Sequence, residues 1–448
     1  MSAVQTVKGS TYEIRDLSLA EEGKKRIEWA ARHMPVLTSL KRQFEKEKPL
    51  AGVKIGACLH VTKETGVLAR TLLAAGAELH LCASNPLSTQ DSVAAALVEE
   101  GISVYAWKNM DDEGYYRGVA NVINARVNIT IDDGGDLVGS LHKLKKNTPG
   151  KEIDIIKKVL GNDGSDLIDS VWAGAEETTT GIIRLRAMAK DGELLYPVMA
   201  TNDTPTKWNF DNLWGTGQST IDGILRGTEE LICTKTVVVA GYGHCGRGVA
   251  IRAKGLGARV IITEINPHAA LTAVMEGMEV MPMAEAAKLG DIFITATGCK
   301  DVIRGEHVKA MKDGAVVCNT GHFSVEINIP DLEALAVKKS TFKPMVDQYE
   351  MKDGKIITLL AEGRLVNLAL ATGHPSEVMD MSFSDQALAA VHVANHREEL
   401  VKLGGQVVDI PEELDKHVAT FKLESLGMKM DKLTEEQYNY LHGWKEGT

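Results

Sequence analysis

Thr236 to Gly248 reads TVVVAGYGHCGRG, and no other stretch restricts the fold as tightly. The apolar, β-branched run reads as a buried parallel strand that passes straight into a GxGxxG turn made by Gly241, Gly243 and Gly246. Three glycines alone say little. Here they open a helical pattern, VAIRAKGLG, which leads to a second strand, ARVIITE, ending on Glu264. In that context Gly241 permits the tight turn and Gly243 lets bare backbone approach a pyrophosphate. Gly246 lets the helix pack on the strand with its N-terminus toward the phosphates. Glu264 stands where an acid meets ribose hydroxyls, and its charge repels a 2′-phosphate, so the predicted cofactor is NAD rather than NADP.

The 448 residues suffice for two or three domains, each with its own core. A net charge of −11, with no basic run or basic-aromatic patch, argues against nucleic acid and anionic membrane and favours a small-molecule substrate. No apolar run approaches the roughly 20 residues of a membrane span, and MSAVQTVKGSTYEIRD lacks the apolar core of a signal peptide, so a cytoplasmic protein is predicted. Cys58, Cys82, Cys233, Cys245, Cys299 and Cys318 are scattered without a CxxC, so neither disulfides nor a metal is expected.

Before the glycine turn, a helix-period segment (SLAEEGKKRIEWAARHMPVLTSLKRQFEKEKPL) is followed by VKIGACL, AELHLCAS, GISVYAW, VNITIDDGGD, VWAGAEETTTG and LLYPVMATND, strands alternating with helical patterns. That alternation means a doubly wound parallel sheet. Its first turn, His60-Val61-Thr62-Lys63-Glu64, has no phosphate glycines, so its ligand is predicted not to be a pyrophosphate. From Pro205 to Gln218 the pattern loosens into a crossover, the glycine-turn domain follows with a charged hairpin (FKPMVDQYEMKDGKIITLLAEG), and the chain turns back at GHPSE. The long helical pattern after it carries Met379, Met381 and Phe383 at spacings that suit a core.

Polar residues gather where the first-domain strands end. His60 follows one; Asp132, Asp133 and Asp136 another; Glu176 and Glu177 a third; Asn202 and Asp203 a fourth. Any single acid there commonly caps the next helix, but four strand ends together point to a ligand site. Lys207 and Asp211 lie four apart, so on a helix they share a face, either as a surface ion pair or as a desolvated proton-transfer group. In the second domain Asn319, Gly321 and His322 follow GAVVC, and Asn367 precedes Gly373-His374-Pro375 at the return.

HVTKET, NPLSTQD, DDGGDL, EETTTG, NDTPTKWNFDN, VVVAGYGHCGRG, CNTGHF, AEGRLVNL and GHPSEVMDMSF, in this order along nearly the whole chain, resemble the S-adenosyl-L-homocysteine hydrolases of the compact archaeal and bacterial type. The resemblance implies an α/β fold of two doubly wound, Rossmann-like domains, the NAD-binding one inserted into the other. Its expected bounds are 1–202 and 376–406 for the substrate domain, 203–217 and 373–375 for hinges, 218–372 for the NAD domain, and 407–448 for a C-terminal oligomerisation segment, usually within a homotetramer. It also implies reversible cleavage of S-adenosylhomocysteine to adenosine and homocysteine in the methyl cycle, with one tightly held NAD per subunit that is reduced and reoxidised in each turnover. Oxidising the ribose 3′ hydroxyl acidifies the 4′ proton, homocysteine leaves by β-elimination, water adds, and the ketone is reduced again.

Matched motif by motif, the resemblance gives Lys207, Glu177 and Asp211 the 3′ hydroxyl proton, Asp133 the 4′ proton, and His60 the acid/base work at the 5′ end with Asp136 close by. His322 and His374 close over ribose and nicotinamide, Asn212 links substrate to cofactor, and Thr62, Glu64, Met379 and Phe383 meet the substrate. Thr178, Thr179, Thr180, Gly241, Gly243, Gly246, Glu264, Asn319 and Asn367 hold NAD. A carboxylate at Glu64 favours adenine, whose amino group hypoxanthine lacks; Lys63 beside it keeps S-inosylhomocysteine as the alternative substrate. The chain departs from the pattern at Thr216, where many relatives have cysteine, at Ala269, often asparagine, and in a tail, YLHGWKEGT, without the usual Lys and Tyr. Two other readings compete. A 2-hydroxyacid dehydrogenase usually has an arginine where this chain has Gly321-His322 and has no need of the Lys207 set; a non-catalytic NAD-binding relative would be expected to have lost the proton-handling residues.

Overall fold

The computed structural model describes residues 5–7 and 9–444. Its first eight strands are β1 (Gln5–Val7), β2 (Ser10–Glu13), β3 (Lys54–Leu59), β4 (Glu78–Ala83), β5 (Ser103–Tyr105), β6 (Ile129–Asp132), β7 (Ala173–Glu176) and β8 (Val198–Met199). The next eight are β9 (Thr236–Ala240), β10 (Arg259–Thr263), β11 (Glu279–Val280), β12 (Ile292–Thr295), β13 (Val316–Asn319), β14 (Ala336–Lys343), β15 (Val346–Met351) and β16 (Ile356–Leu360); β17 is Val407–Val408. They form two sheets, ordered β1-β2-β5-β4-β3-β6-β7-β8-β17 and β11-β10-β9-β12-β13-β16-β15-β14. Both are parallel except for the β1/β2 pair and the β14/β15/β16 edge.

The parallel strands are apolar on both faces because helices cover both. In β9, Val237 and Val239 pack into a core with Ile224, Val249 and Ile262, while Val238 between them points into the opposite core with Ile261 and Phe293. The first sheet has one large core, which also takes in Phe383, Ala387 and Ala390 of the helix Ser376–Asn395. This return helix thus packs in the core of the first sheet although it follows the second sheet in sequence.

Three local features differ from the sequence reading. The first helical segment is two helices, Ala20–Arg32 and Pro35–Glu47, because Pro35 has no N–H to continue the first and suits the start of the second. The charged hairpin is a three-stranded antiparallel edge, β14 to β16. At the other end of the chain, Val407 and Val408 pair with Val198 and Met199, so the line expected after residue 406 runs along the edge of the first sheet.

What positions a site is the strand order. It reverses between β3 and β6 in the first sheet and between β9 and β12 in the second. Loops leaving the carboxyl ends of such strands diverge and open a crevice.

Candidate active site

The two crevices open into one cavity of about 1170 Å³, lined by residues of both sheets and of the two crossovers. From the first sheet come His60 after β3, Asp133 after β6, and Glu177 with Thr178, Thr179 and Thr180 after β7. Thr62 also lines it and caps the helix Lys63–Ala74, accepting the Thr65 N–H.

Lys207 lies at the centre and is only 3% exposed. Residues Trp208–Gly215 wind as a π-helix, whose wide turns bring the next polar side chains back toward the lysine. Its Nζ is 2.9 Å from Asp211 Oδ2 and 3.9 Å from Glu177 Oε1, and it donates to Asn212 Oδ1 at 2.7 Å. Burial works against the charge on Lys207, but Asp211 and Glu177 outweigh it and raise the lysine above its usual range. For Asp211 the same burial is overcome by Lys207 and His374, which hold it well below the carboxylate range. Glu177 is different: burial pushes it up to about 8 despite Lys207. It is the group of the three poised to gain or lose a proton near neutral pH. Ser382 Oγ donates to one of its oxygens and Gln386 Nε2 to the other, at 2.6 Å.

The ligand edge is a second cluster. Asp133 sits between two imidazoles, with Oδ2 3.4 Å from His60 Nε2 and Oδ1 3.6 Å from His322 Nδ1. The Ser88 hydroxyl donates to the Asn85 carbonyl and so accepts from His60 Nδ1–H at 2.8 Å, which leaves His60 Nε2 as the lone-pair nitrogen facing the cavity. Burial brings His60 down to about 4, only partly offset by Asp133, so the ring is neutral and basic in form. His374 ties the lysine cluster to Asn367: Nδ1 bonds Asp211, and Nε2 accepts from the Asn367 amide at 3.2 Å.

In the second sheet the wall is backbone. Gly241 has φ +92°, and a Cβ there would stand 2.7 Å from the Ala296 carbonyl oxygen; a Cβ on Gly246 would stand 2.0 Å from the Gly241 oxygen. A Cβ on Gly243 would meet nothing within 4 Å. The turn is therefore closed to side chains on the protein side and open at Gly243, at the N-terminus of the helix His244–Gly255. Glu264 Oε2 accepts the Tyr242 N–H and Oε1 accepts those of Ile265 and Asn266, which fixes the acid at the rim. Asn367 keeps a buried Oδ1 without a partner. A bare cradle, a helix N-terminus, an anchored acid and an unpaired acceptor together fit a dinucleotide.

The S-adenosyl-L-homocysteine hydrolase family model matches residues 11–448. The chain belongs to that family. Adenosylhomocysteinase of Aquifex aeolicus (strain VF5) is 56% identical over 98% of this chain and 100% of its own. That of Saccharolobus solfataricus is 54% identical over 98% and 100%. S-inosyl-L-homocysteine hydrolase of Methanocaldococcus jannaschii is 51% identical, also over 98% and 100%. As a member of the S-adenosyl-L-homocysteine hydrolase family the chain is an enzyme, a hydrolase built on two doubly wound sheets, and no described helix is long and apolar enough to cross a membrane.

Most residues that the hydrolase resemblance singles out line the one cavity, including Asn212, His322, His374, Met379 and Phe383. Four do not. Glu64 is buried behind the wall, its Oε1 bonded by Lys63 Nζ at 2.5 Å and Ser376 Oγ at 2.6 Å. Asp136 accepts from Tyr115 and Arg184. Gly246 packs on Gly241, and Asn319 braces the Gly321-His322 turn, bonding the backbone of Gly321 and Phe323. Ser88, Ser382 and Gln386 went unassigned. The last two lie four apart inside a helix that reads as core, and only the fold reveals that their shared face meets Glu177.

Proposed function

We propose that this cavity reversibly hydrolyses S-adenosyl-L-homocysteine to adenosine and L-homocysteine as part of the methyl cycle, with one tightly held NAD per subunit. The observation that carries the reading is a buried lysine between two carboxylates in the same cavity as the glycine turn. Gly241, Gly243 and the helix behind them would hold the pyrophosphate, with Glu264 at the ribose and Thr178, Thr179, Thr180, Asn212 and Asn367 nearer the reacting end. NAD bound there supplies reversible hydride transfer at the ribose 3′ carbon, which makes the 4′ C–H acidic.

The chain's own residues move the protons. Lys207, held by Asp211, passes a proton to ionised Glu177 as it takes the 3′ hydroxyl proton and recovers it in the reverse sense; Glu177, at about 8, is matched to that exchange near neutral pH. Asp133 abstracts the 4′ proton. His60, neutral with Nε2 toward the cavity, takes a proton from the water that adds at the 5′ carbon, and in the synthetic direction returns that proton to the departing hydroxyl. His322 and His374 close over the ribose, which keeps water from the activated sugar.

Thr62, on the cavity wall, is assigned to the base together with Glu64 behind it; adenine is preferred because a carboxylate accepts from its amino group, which requires Oε2, opposite the oxygen that Lys63 and Ser376 hold, to reach the base. The ion pair of Glu64 with Lys63 supports the second reading, S-inosyl-L-homocysteine. Free-thiol release from the two thioethers, side by side on NAD-loaded protein, tests both. Preference for the adenosyl compound supports the reading; preference for the inosyl compound keeps the chemistry and overturns the base assignment; release from neither overturns the hydrolase. A homotetramer is proposed from the exposed Leu426, Met428, Met430, Leu433, Tyr440 and Trp444 of the C-terminal segment, to be checked by light scattering. A cytoplasmic location accords with six unpaired cysteines.

A further inference from the structure

Glu176 is a carboxyl with no solvent exposure, at the end of β7 and one residue before Glu177, and the proton transfers above make no use of it. Its Oε1 accepts two backbone N–H groups, from Gly134 at 2.8 Å and Thr178 at 3.1 Å. Its Oε2 is buried without a partner. The first bond reaches the residue after Asp133. That turn is confined from the other sides too: Arg184 Nη1 donates to the Gly134 carbonyl at 2.6 Å, and Gly134, at φ +107°, is so close to His322 that a Cβ would stand 2.1 Å from Nε2. The helix Thr179–Lys190 passes directly over the carboxyl, where a Cβ on Gly181 would stand 2.1 Å from the Glu176 carboxyl carbon. The neighbouring strand adds a second buried acid, Asp132, paired with Glu176 in register and accepting the Asp133 N–H at 3.0 Å.

We propose that Glu176 is a positioning residue that holds the Asp133-Gly134 turn, and with it the Asp133 carboxylate, in line for proton abstraction at the 4′ carbon. It does so as a neutral acid, since burial first and Asp132 second disfavour its charged form. A neutral amide of the same shape can therefore replace it. The inference rests on the assignment of Asp133 given above.

The test uses the NAD-loaded full chain with adenosine as the probe in heavy water. Two signals are read separately: deuterium wash-in at the 4′ carbon, and the ultraviolet absorbance of reduced nicotinamide that reports oxidation at the 3′ carbon. In Glu176→Ala wash-in is expected to fall on the order of 10²-fold, the loss that follows a small misplacement of a reacting group, while the nicotinamide signal persists. In Glu176→Gln wash-in is expected to return toward the wild-type rate with an unchanged pH profile. Wild-type wash-in in the alanine variant, or loss of both signals together in both variants, overturns the positioning role. A wild-type chain that shows the nicotinamide signal but no wash-in overturns the Asp133 assignment itself, a result distinct from either.

Discussion

The two crevices that share this cavity sit at the same topological place in two similar sheets, and they are built from opposite materials. The first is made of titratable side chains: His60 and Asp133, half-buried, Glu177, buried, and, behind them, the buried Asp132 and Glu176. The second is made of glycine backbone, a helix N-terminus and one anchored acid, Glu264. Strand order makes the crevice, and the residues after each strand decide what it does. A pyrophosphate needs N–H groups and room, which glycine provides; proton transfer needs groups whose pKa values burial has moved.

The largest test of that contrast is Lys207→Ala. Thiol release is expected to fall roughly 10²–10⁴-fold while NAD extracted from the purified protein stays at wild-type stoichiometry. Loss of NAD together with activity would mean the two crevices are not separable in this way. Within the glycine crevice the comparison sharpens further. Gly246→Ala forces a Cβ against the Gly241 carbonyl and is expected to cost about 1–3 kcal/mol of stability, read as a lower Tm. Gly243→Ala meets no protein atom, so it is expected to leave Tm unchanged and weaken NAD retention.

A pH experiment addresses the acid-lined side. Asp385 accepts from Thr204 and Thr206, next to Lys207, and burial raises it from the ordinary 3.8 to about 7. A carboxyl raised on folding binds more protons folded than unfolded across that window, so its contribution to stability is present below 3.8 and lost as pH rises through about 7. Asp385→Asn is expected to melt like the wild type below 3.8 and increasingly above it as the pH rises to about 7, where the difference levels off, which thermal melts across the range would check. Equal melting throughout would show that Asp385 ionises freely. The smallest effect is expected at Ala269, on the cofactor side of the wall. Ala269→Asn adds a hydrogen-bonding side chain at the position where the family resemblance implies one, and should strengthen NAD binding by about 0.5–1.5 kcal/mol, measured as slower loss on dilution.

Much of this was legible along the chain. The glycine turn announces itself because a tight backbone conformation admits few residues, and a parallel strand buried on both faces cannot hide its apolar run. Polar residues after β3, β6, β7 and β8 marked the other crevice. Ser382 and Gln386 were not legible, because a polar pair at helical spacing inside an apolar helix looks the same whether it faces a carboxylate or solvent. Glu64 was legible as a residue, but its pairing with Ser376, 312 positions away, was not.

By itself, then, the sequence determined the two sheets, the dinucleotide turn and the identities of the acids, histidines and lysine available for chemistry, since these depend on local sterics and on periodicity. Only the tertiary structure decided that Lys207 is raised by its two carboxylates, that burial lifts Glu177 toward the neutral range and lowers His60, and that Glu176 braces a turn instead of facing the cavity. Each of those outcomes is a balance of burial against charges contributed by distant segments, and neither quantity exists until the chain has folded.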